Sequence, residues 1–193
     1  MPVKLLAFAG STRTGSFNQI LVDVAAAQAR EKGAEVTQIR LKDFDLPLYD
    51  GDIEANAFPQ AARDLQALFR AHHGFLIATP EHNGSLSAAL KNAIDWASRP
   101  TEGHAMISAF RGKVAGIMGA SISPFGGLRG VTHLRQILGT IQVVVATEQV
   151  TTPLVHNAFD DAGAFKDPLP VQLMGGLVAR VIDLAEKLEP PIA

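Results

Sequence analysis

Short, uninterrupted apolar runs alternate with longer segments carrying apolar residues at helical spacing, and the alternation repeats five times along the chain. A strand that is apolar throughout, instead of at every second residue, is buried on both faces. Such strands, joined through helices, build an open parallel sheet between two helix layers. Residues 3–9, 36–41, 74–79, 113–118 and 143–145 read as the strands. Residues 18–32, 60–71, 85–97, 131–141 and 172–188 read as helices; Leu86, Leu90, Ile94 and Ala97 mark one buried stripe. Gly33 follows the first helix and Pro190 stops the last. Pro47 and Asp50-Gly51 make 46–51 a loop, and mixed turn signals put 157–169 at the surface. The 193 residues suit one domain, and no repeat or linker divides them, so 1–193 is expected to be a single domain.

Composition removes several function classes. There is no cysteine, which excludes a disulfide scaffold, a thiolate zinc site, an iron–sulfur cluster and a cysteine nucleophile. Seventeen Lys and Arg against nineteen Asp and Glu give a net charge of −2, with no basic excess to favour nucleic acid or an anionic membrane. No segment has the ~20 apolar residues of a membrane span. Lys4 precedes Leu5-Leu6-Ala7-Phe8-Ala9, and Ala7-Phe8-Ala9 fits a signal-cleavage pattern. That run is shorter than the ~7–15 residues of a signal-peptide core, so it reads as a buried first strand in a cytoplasmic protein.

Open α/β sheets bind ligands at the carboxyl ends of their strands, near the point where strand order reverses. The loops after the first, third and fourth strands therefore carry the information. Gly10-Ser11-Thr12-Arg13-Thr14-Gly15-Ser16-Phe17-Asn18 leads from a strand into a helix and is dense in donors. A helix N-terminus favours an anion, so the loop reads as a phosphate cradle, although Ser16 or Asn18 capping the helix explains one residue of it. It has no G-x-x-x-x-G-K-[ST] and no G-x-G-x-x-G, which excludes the nucleoside-triphosphate and dinucleotide turns. A phosphate monoester carried by a cofactor fits what remains. In Thr79-Pro80-Glu81-His82-Asn83-Gly84-Ser85, Gly84 permits a positive φ and Ser85 is positioned to cap the next helix. The backbone N–H groups around Gly84 and Ser85 are candidates for stabilising negative charge on a ligand. Residues 119–127, from Gly119 through Ser121 to Gly126-Gly127, form a third small polar loop against which a flat ring can lie.

These residues resemble the NADPH-dependent FMN reductases. Residues 10–18 are similar to that family's GSxRxxSxN phosphate loop. Residues 79–85, continuing into Leu90-Lys91-Asn92-Ala93-Ile94-Asp95-Trp96, resemble its PEYNxS…LKNAIDW segment, and 119–127 resembles its third flavin loop. The resemblance implies a flavodoxin-like three-layer sandwich with a five-stranded parallel sheet in the order 2-1-3-4-5. It implies non-covalent FMN, NADPH or NADH as co-substrate, a quinone, azo, chromate or flavin acceptor, and a homodimer or homotetramer. Carried over, Ser11, Arg13, Ser16 and Asn18 hold the phosphate, with Phe17 also in contact with the cofactor; Pro80, Glu81, His82, Asn83, Gly84 and Ser85 line the ribityl chain and ring; Ser121, Gly126 and Gly127 complete the ring pocket. His82 stands where the family has tyrosine, which exchanges a phenol for a group titrating near neutral pH. No protein nucleophile or base is required, because the cofactor carries the chemistry. The competing readings are an electron carrier of the flavodoxin type, an FMN sensor, and a phosphate-ester enzyme on the same fold. A charge of −2 and the missing cysteine argue against the first and last.

Other residues have structural readings. His72 and His73 end a helix, where imidazole satisfies late carbonyls. Glu81 and His82 lack a third metal ligand at useful spacing. Lys91 and Asp95 read as an ion pair, and Trp96 as core or subunit contact. Tyr49 reads as a rim or partner-facing residue. Arg99 and Arg129 read either as partners of an additional NADPH phosphate or as surface charge.

Overall fold

The computed structural model describes residues 1–160 and 163–192. Strands β1 (Lys4–Ala9), β2 (Glu35–Arg40), β3 (Gly74–Thr79), β4 (Val114–Ala120) and β5 (Val144–Thr152) form one parallel sheet. Their order, β2-β1-β3-β4-β5, is the expected one. Around it lie α1 (Phe17–Glu31), α2 (Gly51–Asn56), α3 (Gln60–Arg70), α4 (Ala88–Ala97), α5 (Leu128–Thr140) and α6 (Leu169–Leu188).

The pleat sends alternate side chains of each central strand into different cores. Leu5, Ala7 and Ala9 join Leu76, Met118 and the inner faces of α1 and α6. Leu6 and Phe8 face the other way, with Ile77, Ile117 and the inner faces of α3, α4 and α5. Phe8, Phe69, Phe75 and Phe110 form an aromatic cluster there, with ring centroids 5.0–5.8 Å apart. Phe69 is fully buried; truncating such a ring costs about 3–5 kcal/mol. The Leu5–Ala9 run is the buried first strand expected of it.

The departures have local causes. The sixth helix, α2, falls at the end of the expected 46–51 loop; it buries nothing, so no apolar stripe announces it, and the Asp50 carboxylate caps it by accepting from Asp52 N at 2.7 Å. β5 runs nine residues where three were expected. It is an edge strand, and its polar residues Thr147, Glu148 and Gln149 interrupt the apolar run where the register with β4 shifts between Ala115 and Ile117. β4 begins after Lys113 and extends to Ala120. Lys113 is buried instead, and its ammonium donates to the carbonyls of Arg70 at 3.0 Å, Pro191 at 2.9 Å and His72. α4 starts at Ala88, three residues later than expected, because Ser87 and not Ser85 is its cap, accepting from Leu90 N at 3.2 Å. Of the 157–169 segment, Asp161 and Ala162 lie outside the described residues; Phe159 and Phe165 pair across it, and Phe159 stacks on Phe17 at 5.9 Å.

Candidate functional site

The loops after β1, β3 and β4 converge at the carboxyl end of the sheet, where order reverses between β1 and β3. They enclose a cavity of about 650 Å³. Ser11, Arg13, Ser16, Phe17, Asn18, Pro80, Glu81, His82 and Ser121 all line it.

The first loop keeps its donors unspent. Gly10 N bonds to Ala78 O, extending the sheet by one residue. Arg13 N reaches Ser11 Oγ at 3.4 Å. Among the described residues, the N–H groups of Ser11, Thr12, Thr14, Gly15, Ser16, Phe17 and Asn18 donate to no protein acceptor. The Ser16 hydroxyl sits at the helix start but makes no capping bond. Among the described residues Arg13 has no ion-pair partner; its guanidinium lies 5.6 Å from the centre of the Phe17 ring. A helix start with free N–H groups and an unpaired guanidinium is a site for a multiply charged anion. Asn18 has a different task. Its Oδ1 accepts from Ala120 N at 2.9 Å and its Nδ2 donates to Ala120 O at 3.1 Å. That buried two-way bond fixes α1 to the end of β4.

The second loop is a tight hairpin. His82 and Ser85 exchange both backbone hydrogen bonds, at 2.9 and 3.0 Å. Asn83 (φ 51°) and Gly84 (φ 77°) turn the chain between them, the Asn-Gly pattern such a turn demands. This corrects one expectation. The Ser85 N–H is spent on His82 O, so the free N–H groups of the turn are those of Asn83 and Gly84. Glu81 is clamped by Arg129, whose N and Nε donate to its two carboxylate oxygens at 3.1 and 2.6 Å. Arg129 also lies 4.9 Å from the Phe125 ring centre, tying loop two to loop three.

Not every expected residue reaches the cavity. Asn83 and Ser85 line a neighbouring cavity of about 600 Å³ instead. Gly84 lines neither; its part is the turn. Gly126 and Gly127 also stay out of both walls. Gly127, at φ 88°, is the residue before α5, and a Cβ on Gly126 would meet Pro153 N at 2.7 Å. They shape loop three against the end of β5. Sequence reasoning missed Ser87, Ala88, Ala89, Ala120 and Ile122 in the wall. Ser87 had a signal, as a hydroxyl directly before the apolar stripe of α4; it caps that helix and donates to Gly10 O. The alanines and Ile122 had none.

Elsewhere the structure corrects one reading: His73 satisfies no late helix carbonyl, since its Nδ1 accepts from Lys4 N at 2.8 Å. His72 Nδ1 donates to Leu68 O at 2.6 Å, and burial pushes its pKa down. Lys91 and Asp95 pair at 2.6 Å. Trp96 is fully buried, donates to Pro47 O at 2.8 Å and takes the edges of Tyr49 and Phe58. Tyr49 donates to Glu54 at 2.5 Å, which raises its pKa, and Arg99 lies over its ring at 5.5 Å.

The donor set fits a phosphate monoester, and the cavity continues past it along loops two and three with room for a flat group. Known proteins agree with that shape. Residues 3–157 match the family model described as NADPH-dependent FMN reductase. An NAD(P)H-dependent FMN reductase of Pseudomonas aeruginosa is 39% identical over 167 residues, 86% of this chain and 85% of that protein. A 2-hydroxy-1,4-benzoquinone reductase of Burkholderia sp is 34% identical over 148 residues, 77% of this chain and 76% of that protein. The solved structure of a flavoenzyme NAD(P)H:acceptor oxidoreductase from Paracoccus denitrificans superposes with a TM-score of 0.78 at 27% identity, covering 96% of this chain and 98% of that one. With the fold, the three loops and the family match in agreement, the chain belongs to the NADPH-dependent FMN reductase family.

Proposed function

We infer that this chain is an FMN-dependent NAD(P)H oxidoreductase that passes reducing equivalents to quinone acceptors. One observation carries the reading: the unspent donors of residues 11–18 open into the same cavity as Pro80, Glu81 and His82 of the second loop. Azo compounds, chromate and free flavin are further acceptors open to an exposed cofactor. FMN, when bound, would supply the two-electron redox chemistry between NAD(P)H and the acceptor.

The protein's part is binding and orientation. Ser11, Arg13, Ser16 and Phe17 hold the phosphate, through N–H groups, hydroxyls and the guanidinium. Asn18 sets the distance between that cradle and loop three through its bond to Ala120. Pro80, Glu81 and His82 would line the ribityl chain and ring, and the Asn83-Gly84 turn holds His82 in that wall. Ser121 closes the ring pocket, while Gly126 and Gly127 shape its backbone. The Glu81–Arg129 pair keeps loop two against α5, since a backbone N–H and the guanidinium grip one carboxylate. No side chain here is asked to act as nucleophile or general base. Residues 1–193 act as a single FMN-binding domain.

We also propose a homodimer or homotetramer. Ile122, Phe125 and Leu128 are exposed apolar residues beside the cavity, the kind of surface that a subunit contact covers. Among the described residues no helix is long and apolar enough to cross a membrane, and we propose the cytoplasm as the default location.

Riboflavin, which lacks the phosphate, tests the cradle. The FMN-free protein is expected to bind FMN at least ~100-fold more tightly than riboflavin, and Arg13→Ala to weaken FMN by roughly 10–100-fold while leaving riboflavin unchanged; a charge-assisted bond is worth about 1.5–3 kcal/mol. Equal affinity of the unaltered protein for the two flavins contradicts the reading.

A further inference from the structure

The neighbouring cavity of about 600 Å³ lies between loop two, α4 and α5, and it shares His82 and Ala88 with the main one. The two therefore adjoin at His82 and Ala88. Loop two and α5 meet across it. Gly130 packs its backbone on loop two, where a Cβ would lie 3.1 Å from Pro80 O and 3.3 Å from Ser85 O. His133, one helical turn on, comes within 2.9 Å of the Ser85 hydroxyl.

The chemistry of the wall is one-sided. Its polar members are donors or amides: the Ser85 hydroxyl, the imidazoles of His82 and His133, the amides of Asn83 and Gln136, and the Lys91 ammonium. No carboxylate lines it. Asp95, which neutralises Lys91, bonds it from the next turn of α4 and is not part of the wall. Ile137 supplies an apolar surface against which a ring can rest. The Ser85 hydroxyl engages His133 Nδ1, which leaves Nε2 as the ring nitrogen open to a ligand. A wall that carries an ammonium and several N–H and O–H groups, with no carboxylate of its own among the described residues, suits a negatively charged oxygen on an aromatic ring.

We propose that this cavity is the specificity pocket for the electron acceptor, and that it selects quinones bearing an ionised hydroxyl or carboxylate substituent. The reacting ring lies in the main cavity, and the acidic substituent reaches past His82 toward His133 and Gln136. The proposal rests on the reading of the main cavity as the FMN site, and it adds the acceptor class to that reading.

Two quinones of similar size provide the test. 2-Hydroxy-1,4-naphthoquinone is ionised at neutral pH, and 2-methyl-1,4-naphthoquinone is not. The FMN-loaded protein is expected to show a KM roughly ten-fold lower for the hydroxyquinone, an advantage equal to one charge-assisted hydrogen bond. His133→Ala combined with Gln136→Ala should abolish that advantage and leave KM for the methylquinone and for NADPH within about two-fold of the unaltered value. Ile137→Trp, which fills the cavity by bulk, should raise the hydroxyquinone KM in the same direction by a different means. Binding of redox-inert 2-naphthoate to the FMN-free protein, followed by its own fluorescence, should weaken in both variants. An unaltered KM ratio and an unaltered naphthoate affinity overturn the proposal, and so does an equal rise in KM for both quinones. A protein that binds FMN and is reduced by NADPH, yet shows no preference between the quinones, overturns this proposal alone. Failure to bind FMN overturns the reading beneath it.

Discussion

Gly84 contributes no side chain and lines no cavity, yet its φ of +77° makes the second loop possible. With Asn83 it turns the chain in two residues directly after His82, which lines the cavity. A Cβ on Gly84 would meet only Arg129 Cδ, at an ordinary contact distance of 4.0 Å, so a substitution acts through backbone strain and not through a clash. A left-handed conformation costs an ordinary L residue about 1–2 kcal/mol, and asparagine tolerates it better. Gly84→Val is therefore expected to weaken FMN binding roughly ten-fold and to slow reduction by NADPH, while Gly84→Asn stays within about three-fold of the unaltered protein. Fluorescence titration of the FMN-free variants decides it; equal affinity in Gly84→Val removes the turn from the binding mechanism. The same reasoning separates Arg13 from Asn18. Both lie in one motif, but the first keeps its charge free and the second spends its amide on Ala120.

Elements buried on both faces were the legible ones. Gly74–Thr79 is a continuous apolar run, and β3 occupies those same residues. β2 and β5 lie at the sheet edges, where one side of each strand has no partner and polar residues are tolerated. Apolarity therefore marked only the start of β5. α2 was invisible because its residues bury nothing, and the start of α4 was misread because Ser85 and Ser87 are both hydroxyls with cap potential. Only the tertiary contact of Ser87 with Gly10 O distinguishes them. The candidate site followed the same rule. Loops one and two were readable because donors and the Asn-Gly turn are local chemistry. Ala88, Ala120 and Ile122 enter the wall through packing alone, and the clamp between Asn18 and Ala120 joins positions 102 residues apart.

The two ends of the sheet do different work. The carboxyl end holds the open, donor-rich cavity. The amino end is closed around Lys113, whose buried ammonium draws together the end of α3, the start of β3 and the segment after α6. Burial, with Arg70 adding to it, lowers the pKa of Lys113 from about 10.5 to about 8. Below pH 8 the lysine is charged in both folded and unfolded chains, so folding bears the full cost of desolvating it. Between pH 8 and 10.5 the unfolded chain holds more of the proton, so this residue makes stability rise with pH, by at most about 1.4 kcal/mol per unit. Urea denaturation across that window should show the rise in the unaltered protein and its absence in Lys113→Met. Parallel curves for the two contradict this account of the amino end.

The function itself is tested at the carboxyl end, by anaerobic titration of the FMN-loaded protein with NADPH while the visible flavin spectrum is followed. Rapid bleaching at one equivalent of NADPH per flavin, with colour restored by a quinone, is the predicted result. A bound yellow flavin that neither NADPH nor NADH bleaches would contradict it and make the protein a carrier or sensor.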